Sequence, residues 1–179
     1  VKNATQVTKE LIDACPSLKI IGKGGESMDN IEVEYAKSKG IFVINTPNAF
    51  AKSVAELVFA HFLTLIRFLH DSNRNMPLEG DTKFAFLKKS YEKATELSGK
   101  TLGIIGFGNI GKEVAKIGIG LGMKIIFYTR KPKTDTISLE FFDGRTIDFE
   151  FTSSNDMEAF LKEADFISIN TSETTEYII

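Results

Sequence analysis

The stretch Thr101–Glu113, TLGIIGFGNIGKE, constrains this chain more than any other. Five residues rich in β-branched and apolar types lead into Gly106, Gly108 and Gly111, and an amphipathic run follows. Each glycine has its own physical reason in a strand–turn–helix unit. Gly106 permits the tight turn out of the strand, Gly108 lets backbone approach a pyrophosphate with no Cβ in the way, and Gly111 lets the helix lie close to the sheet. The free N–H groups of the first helical turn, at Asn109 and Ile110, then face the phosphates, and the helix dipole adds to the attraction. An accidental glycine triplet in a βα turn is the bland alternative. Against it, the motif follows a strand and opens a helix leading to another strand, as the dinucleotide fingerprint requires.

That fingerprint expects an acidic residue about 20 positions on, at the end of the second strand, to accept a ribose 2′-hydroxyl. Here the sequence reads IIFYTRKPK: the position is Thr129, followed by Arg130 and Lys131. Two cations and no carboxylate would welcome a 2′-phosphate. The alternative is a solvated basic loop.

The rest of the chain alternates in the same way. Thr8 to Ala14 reads as a short helix with Thr8 as N-cap, LKIIGK as a strand, NIEVEYAKSKG as a helix stopped by Gly40, and IFVIN as a strand closed by Pro47. Lys52 to Arg74 reads as one long helix. Its apolar residues cover most of its circumference, which predicts burial between layers. NMPLEGD reads as a break, followed by a helical segment up to Glu96. In the second unit Thr101–Ile105 and Lys124–Tyr128 are strands and Asn109–Leu121 is a helix with Ile110, Val114, Ile117 and Leu121 on one face. Gly118 and Gly120 each weaken that helix by roughly 0.5–1 kcal/mol relative to Ala, which points to close packing. MEAFLKEAD and FISIN add a helix and a strand. The expectation is an α/β fold with a doubly wound parallel sheet.

TISLEFFDGRTIDFEF interrupts the alternation with period-two apolar positions on both sides of Asp143-Gly144, a hairpin signature. A two-residue turn would pair Leu139 with Asp148. A three-residue turn, Phe142-Asp143-Gly144, pairs Leu139 with Ile147 and Ile137 with Phe149, keeps apolar residues together, and puts glycine where a left-handed residue is needed. The hairpin is expected over about residues 136–151.

Composition narrows the function classes. With 22 Lys and Arg against 24 Asp and Glu, net charge −2, no basic field draws the chain to nucleic acid or an anionic membrane. No apolar run is long enough to span a bilayer. Cys15 is the only cysteine, so an intrachain disulfide is impossible and a reducing, cytoplasmic setting is expected. His61 and His70 have no partners at metal-ligand spacing, so no metal is expected. Ser53 and Ser98 sit in no nucleophile motif.

GKGGESMDN, VINTPNAFAKSVAEL, GKTLGIIGFGNIGKEVAK and EADFISIN stand in the order and spacing of the D-isomer-specific 2-hydroxyacid dehydrogenases, and the chain resembles that family along its whole length. RFLHDSNRNMPLEGD is similar to bacterial D-3-phosphoglycerate dehydrogenases. The resemblance implies part of a flavodoxin-like substrate lobe over residues 1–47 and a Rossmann-like nucleotide lobe over residues 48–179. It implies a nicotinamide cofactor, NAD or NADP, touched by Gly106, Gly108, Asn109, Ile110, Gly111, Thr129, Arg130, Asn170 and Thr171. It implies a 2-hydroxy acid substrate, 3-phosphoglycerate of serine biosynthesis, near Lys23, Gly25, Glu26 and Ser27, and a homodimer formed through the nucleotide lobe. The subgroup itself points to NAD, whereas Arg130 predicts that NADP is tolerated at least as well.

Two departures stand out. The family has Gly-Val-Gly where this chain has Gly25, Glu26 and Ser27, which sets a carboxylate beside a carboxylate site. Lys23 stands where the subgroup often has arginine, and it would act only as a point charge. The family's catalytic arginine, glutamate and histidine match positions beyond Ile179. The chain is therefore expected to be a fragment truncated at both ends, with no catalytic residue of its own and no turnover alone. The rival expectation is a corepressor-like, nucleotide-sensing protein on the same fold.

Overall fold

In a computed structural model of the chain, residues 1–171 are described, and contacts divide the chain into two units, Val1–Ala51 and Lys52–Ile179. The first unit holds α1 (Lys9–Asp13), β1 (Ile20–Lys23), α2 (Val33–Ser38) and β2 (Phe42–Asn45). The Thr8 hydroxyl accepts from the Leu11 amide at 3.4 Å and starts α1. Gly40, at φ +75°, follows the C-terminal end of α2 as a left-handed stop. β1 and β2 pair in parallel from Ile20–Phe42 to Lys23–Asn45. Val7, Ile12, Ile21, Ile31, Ala36 and Ile41 form the core of this unit.

The second unit is built on a parallel sheet ordered β4-β3-β7, with β3 (Thr101–Ile105) in the middle, β4 (Lys124–Tyr128) on one side and β7 (Phe166–Ile169) on the other. Ser154 extends it by a parallel bridge to Tyr128. Helices cover both faces, because alternate residues of β3 point opposite ways. On one face α5 (Asn109–Gly120) comes so close that a Cβ on Gly118 would lie 2.8 Å from Ile125 and 3.0 Å from Leu102. On the other, α6 (Met157–Glu163) sets Phe160 where a Cβ on Gly103 would be 2.7 Å from its ring. Gly118 thus serves close packing as expected. Gly120 does not, since a Cβ there would meet nothing within 4 Å. Three of the four residues expected on the apolar face of α5 face the core, Val114 fully buried and Ile110 and Ile117 packed against the same cluster, whereas Leu121 lies past the helix end and is exposed.

The single long helix expected from Lys52 to Arg74 is two helices. α3 (Ala51–Ile66) ends before Arg67, and Phe68 takes a left-handed conformation (φ 53°) ahead of α4 (Leu69–Ser90). The axes before and after this break differ by 54°. The expected break at NMPLEGD is also corrected. Pro77 lies inside α4, and the helical geometry lapses only at Lys83. Nor is α3 buried all round. Ala55 and Phe59 face the core with Val58, Phe62 and Ile66, while Leu57 and Leu65 stay exposed, Leu65 at 72%.

β5 (Thr134–Glu140) and β6 (Thr146–Thr152) form the hairpin in the expected register, Leu139 opposite Ile147 and Ile137 opposite Phe149. Phe141 and Arg145 close the loop with an amide–carbonyl bond of 2.8 Å, leaving Phe142, Asp143 and Gly144 as the turn, with Gly144 at φ +81°. The hairpin is joined to the nucleotide unit by packing as well as by chain, because Ile137 is buried within the core around Leu102, Phe107 and Phe127.

Candidate functional site

The glycine loop lies at the C-terminal end of β3, where open α/β sheets bind their ligands. Gly106 turns the chain at φ +90°. A Cβ there would sit 2.7 Å from the backbone carbonyl of Asn170 and 2.9 Å from the Thr171 methyl group, so the structure brings three of the expected cofactor residues together. Asn170 is fixed by its amide, which donates to the Ile105 carbonyl at 2.7 Å. A Cβ on Gly111 would collide with the Gly106 carbonyl oxygen, which is why α5 can start so close to the loop.

Gly108 differs from both. Its backbone (φ −92°, ψ −156°) is one any residue adopts, and a Cβ would meet nothing within 4 Å. No fold contact among the described residues demands glycine there. It is the N-cap of α5 without a side-chain cap, so the first-turn N–H groups at Asn109, Ile110 and Gly111 are left to a ligand. A bare backbone cradle backed by uncapped amides is the surface a pyrophosphate needs, so these residues fit a dinucleotide.

Thr129 follows β4, whose last residue Tyr128 pairs with Ile105 just before the glycine loop. The Thr129 hydroxyl donates to the Lys131 carbonyl at 2.7 Å, and Arg130 and Lys131 are exposed. A cluster that sequence reasoning missed lies beside them. Lys112 of α5 and Lys133 both bind Asp135 of β5, at 2.6 and 3.0 Å, and the Lys133 ammonium lies 3.5 Å from the Phe107 carbonyl within the glycine loop. It also sits over the stacked Phe107 and Phe127 rings at 5.8 and 5.9 Å. Lys133 and Asp135, two residues apart at the head of an alternating strand, were a visible signal. The Lys112 partner, 23 residues away, was not.

Burial pushes the Asp135 carboxyl up, but the hydrogen bonds and charges of Lys112 and Lys133 outweigh it and hold the group below the usual carboxylate range. An acid whose folded-state pKa is lowered contributes stability that is complete above its unfolded value, about 3.9, and is lost as pH falls through the lower folded value. Asp135→Asn is therefore expected to destabilise the chain at neutral pH, with the difference shrinking below about pH 4. Urea unfolding of both proteins from neutral pH downward checks this. A difference that stays constant through that range would contradict it.

In the first unit Gly25, Glu26 and Ser27 follow β1 in a loop held by β2 and the residues after it. The Gly25 amide donates to the Thr46 hydroxyl at 3.0 Å, and the Asn45 side chain donates to the Glu26 carbonyl at 2.8 Å. Glu26 is exposed, and the Ser27 hydroxyl donates to Asp29 at 2.6 Å. Lys23 is 3% exposed and donates to the side-chain oxygens of Asn3 and Asn30 at 2.6 and 2.7 Å, which makes it an internal tie. His61 and His70 are exposed, and no cluster of metal-binding side chains occurs among the described residues.

The description "D-isomer specific 2-hydroxyacid dehydrogenase, NAD binding domain" matches residues 59–179. A hydroxypyruvate reductase of Thermotoga maritima is 43% identical over 100% of this chain and 53% of its own length. A D-3-phosphoglycerate dehydrogenase of Methanocaldococcus jannaschii is 35% identical over 100% of this chain and 32% of its own. Among solved structures, a D-lactate dehydrogenase of Aquifex aeolicus complexed with NAD and lactic acid superposes with a TM-score of 0.65 at 30% identity, covering 97% of this chain and 47% of that one. The chain thus spans about half the length or less of these relatives. With the glycine cradle, the parallel sheet and these matches in agreement, the chain belongs to the D-isomer-specific 2-hydroxyacid dehydrogenases and carries their NAD-binding domain.

Proposed function

We propose that this chain is the cofactor-holding part of an oxidoreductase that moves a hydride between a nicotinamide and a 2-hydroxy acid, working in the cytoplasm as a homodimer. The cradle at Gly108, open where a Cβ would meet no protein atom, carries the reading. Gly106, Gly108, Asn109, Ile110 and Gly111 would hold the pyrophosphate, Thr129 and Arg130 the adenosine ribose end, and Asn170 and Thr171 the flank of the cradle. The bound nicotinamide supplies the hydride chemistry, while the chain binds and orients it. NADP is taken at least as well as NAD, because cations replace the usual acid after β4. The exposed leucines of α3 and α4, among them Leu65 and Leu78, support a second copy of this lobe as their cover.

For the substrate, the NRNMPLEGD stretch supports 3-phosphoglycerate, while buried Lys23 and exposed Glu26 favour an unphosphorylated 2-hydroxy acid. The resemblance assigns catalysis to an arginine, a glutamate and a histidine that it matches to none of these residues, and cofactor binding without turnover is the reading proposed for them. A second reading, a nucleotide-sensing protein without catalysis, draws on one observation. The Gly25 amide, expected at the substrate carboxylate, is already bonded to Thr46.

Titrating the chain with NADH and following cofactor fluorescence tests the main reading. Saturable NADH binding, and no oxidation of 3-phosphoglycerate or glycerate when NAD+ is supplied as the hydride acceptor, is the expected result. Absence of binding would remove both readings, and saturable turnover would remove the assignment of catalysis to other residues.

A further inference from the structure

The β5–β6 hairpin has no role in the reading above, yet its first residues reach the glycine loop. Asp135 opens the way by holding two ammonium groups at once, Lys112 at 2.6 Å and Lys133 at 3.0 Å. The backbone of Lys133 is clamped from the other strand: its amide donates to the Ser153 hydroxyl and its carbonyl accepts from the Ser153 amide, both at 2.9 Å. Ser153 is itself buried, and Ile137, two residues beyond Asp135, is locked in the core. Lys133 is therefore an anchored cation in a segment that otherwise reads as a loose basic loop.

Its ammonium has three donors, and among the described residues two acceptors are recorded, Asp135 and the Phe107 carbonyl. Two ammonium groups share one carboxylate, so the cluster stays net positive. Phe107 separates the two glycines of the cradle, and its stacked partner Phe127 lies two residues before Thr129, the ribose position. The remaining donor and the surplus charge thus lie at the rim shared by the glycine loop and the end of β4.

We infer that the hairpin braces Lys133 as a recognition residue for the 2′-phosphate of the adenosine ribose, with Asp135 and Lys112 as positioning residues. This rests on the dinucleotide-binding reading and adds to it a specificity residue outside the Thr129–Lys131 run. A charge-assisted bond to phosphate from an anchored ammonium loses less side-chain freedom on binding than one from a freely moving lysine.

The test is the ratio of NADP+ to NAD+ affinity, measured by calorimetry on the same preparation of the full 179-residue chain, so that any unfolded fraction cancels. Lys133→Met is expected to shift that ratio about tenfold against NADP+, whereas Lys133→Arg, which keeps the charge, holds it within about threefold. Raised salt is expected to weaken NADP+ more than NAD+ in the wild-type chain, and this difference is expected to shrink in Lys133→Met. Should Lys133→Met not fold, Lys133→Gln takes its place. A ratio within twofold of wild type in the uncharged variant overturns the inference, as does an equal loss in Lys133→Arg. NAD+ binding with no measurable NADP+ binding by the wild-type chain overturns it alone. Binding of neither overturns the dinucleotide reading beneath it.

Discussion

Gly106→Ala is expected to lower the unfolding free energy by about 2–6 kcal/mol. Two effects combine. The first is conformational: φ is +90°, where a residue with a Cβ is strained by about 1–3 kcal/mol. The second is steric. The new methyl group would lie 2.7 Å from the carbonyl carbon and oxygen of Asn170 and 2.9 Å from the Thr171 methyl group. A flexible side chain could swing away, but the Asn170 backbone cannot, because its amide is bonded to the Ile105 carbonyl at 2.7 Å. Retreat would unzip the end of the β3–β7 ladder, and overpacking of this kind costs about 1–3 kcal/mol. Gly144 supplies the internal comparison: φ is +81°, yet nothing lies within 4 Å of its Cβ position, so alanine there meets only the conformational effect. Urea unfolding of the two variants separates the effects. Equal losses at both positions would mean that contact with Asn170 contributes nothing.

Much of this architecture was legible because its signals are local. The hairpin register followed from parity: alternating residues on both sides of Asp143-Gly144 allow only one turn length that keeps Leu139 beside Ile147. The glycine cradle was legible for the same reason, since turn, approach and helix start fall within six residues. The α3–α4 break was not. Neither Arg67 nor Phe68 is a helix breaker, and Phe68 enters the left-handed region although no glycine permits it. Conversely Pro77 and Gly80 announced a break that tertiary context overrode, because a proline removes one helical hydrogen bond without forbidding the helix on either side. The exposed face of α3 misled as well. Apolar residues all round a helix predict burial on every side, whereas Leu57 and Leu65 stay exposed.

The site divided along the same line. The roles of Gly106 and Gly111 are set by neighbours a few residues away or by one strand end: Gly106, read as the tight turn, has φ +90°, and Gly111, read as the close-packing position, lies against Ile104 and the Gly106 carbonyl. Lys23 was read as a cation for an anionic group, whereas Asn3 and Asn30, 20 and 7 residues distant, take up its ammonium inside the first unit. Lys133 was passed over inside a basic run, since its approach to Phe107 depends on a hairpin whose packing no local pattern reports.

Gly108→Ser should have the opposite signature to Gly106→Ala, with stability kept and cofactor lost. The backbone at Gly108 is extended, so a side chain brings no strain, and a Cβ has open space around it. The position is the N-cap of α5, where serine is among the preferred residues and glycine is weaker by a few tenths of a kcal/mol. The serine hydroxyl would accept from a first-turn amide, which steadies the helix while consuming a donor that the pyrophosphate would otherwise use. Its Cβ and Oγ would also fill the space that lets phosphate approach the backbone. Thermal unfolding without cofactor is therefore expected to be unchanged or slightly raised, while affinity for NAD+ falls about ten- to a hundredfold, or roughly 1.4–2.8 kcal/mol. Added NAD+ should accordingly raise the melting temperature of the wild-type chain and hardly move that of the variant, because a ligand stabilises only as far as it binds the folded state. Wild-type affinity in Gly108→Ser would mean that phosphate does not approach the backbone at this glycine, and the cradle would have to be assigned elsewhere on the loop.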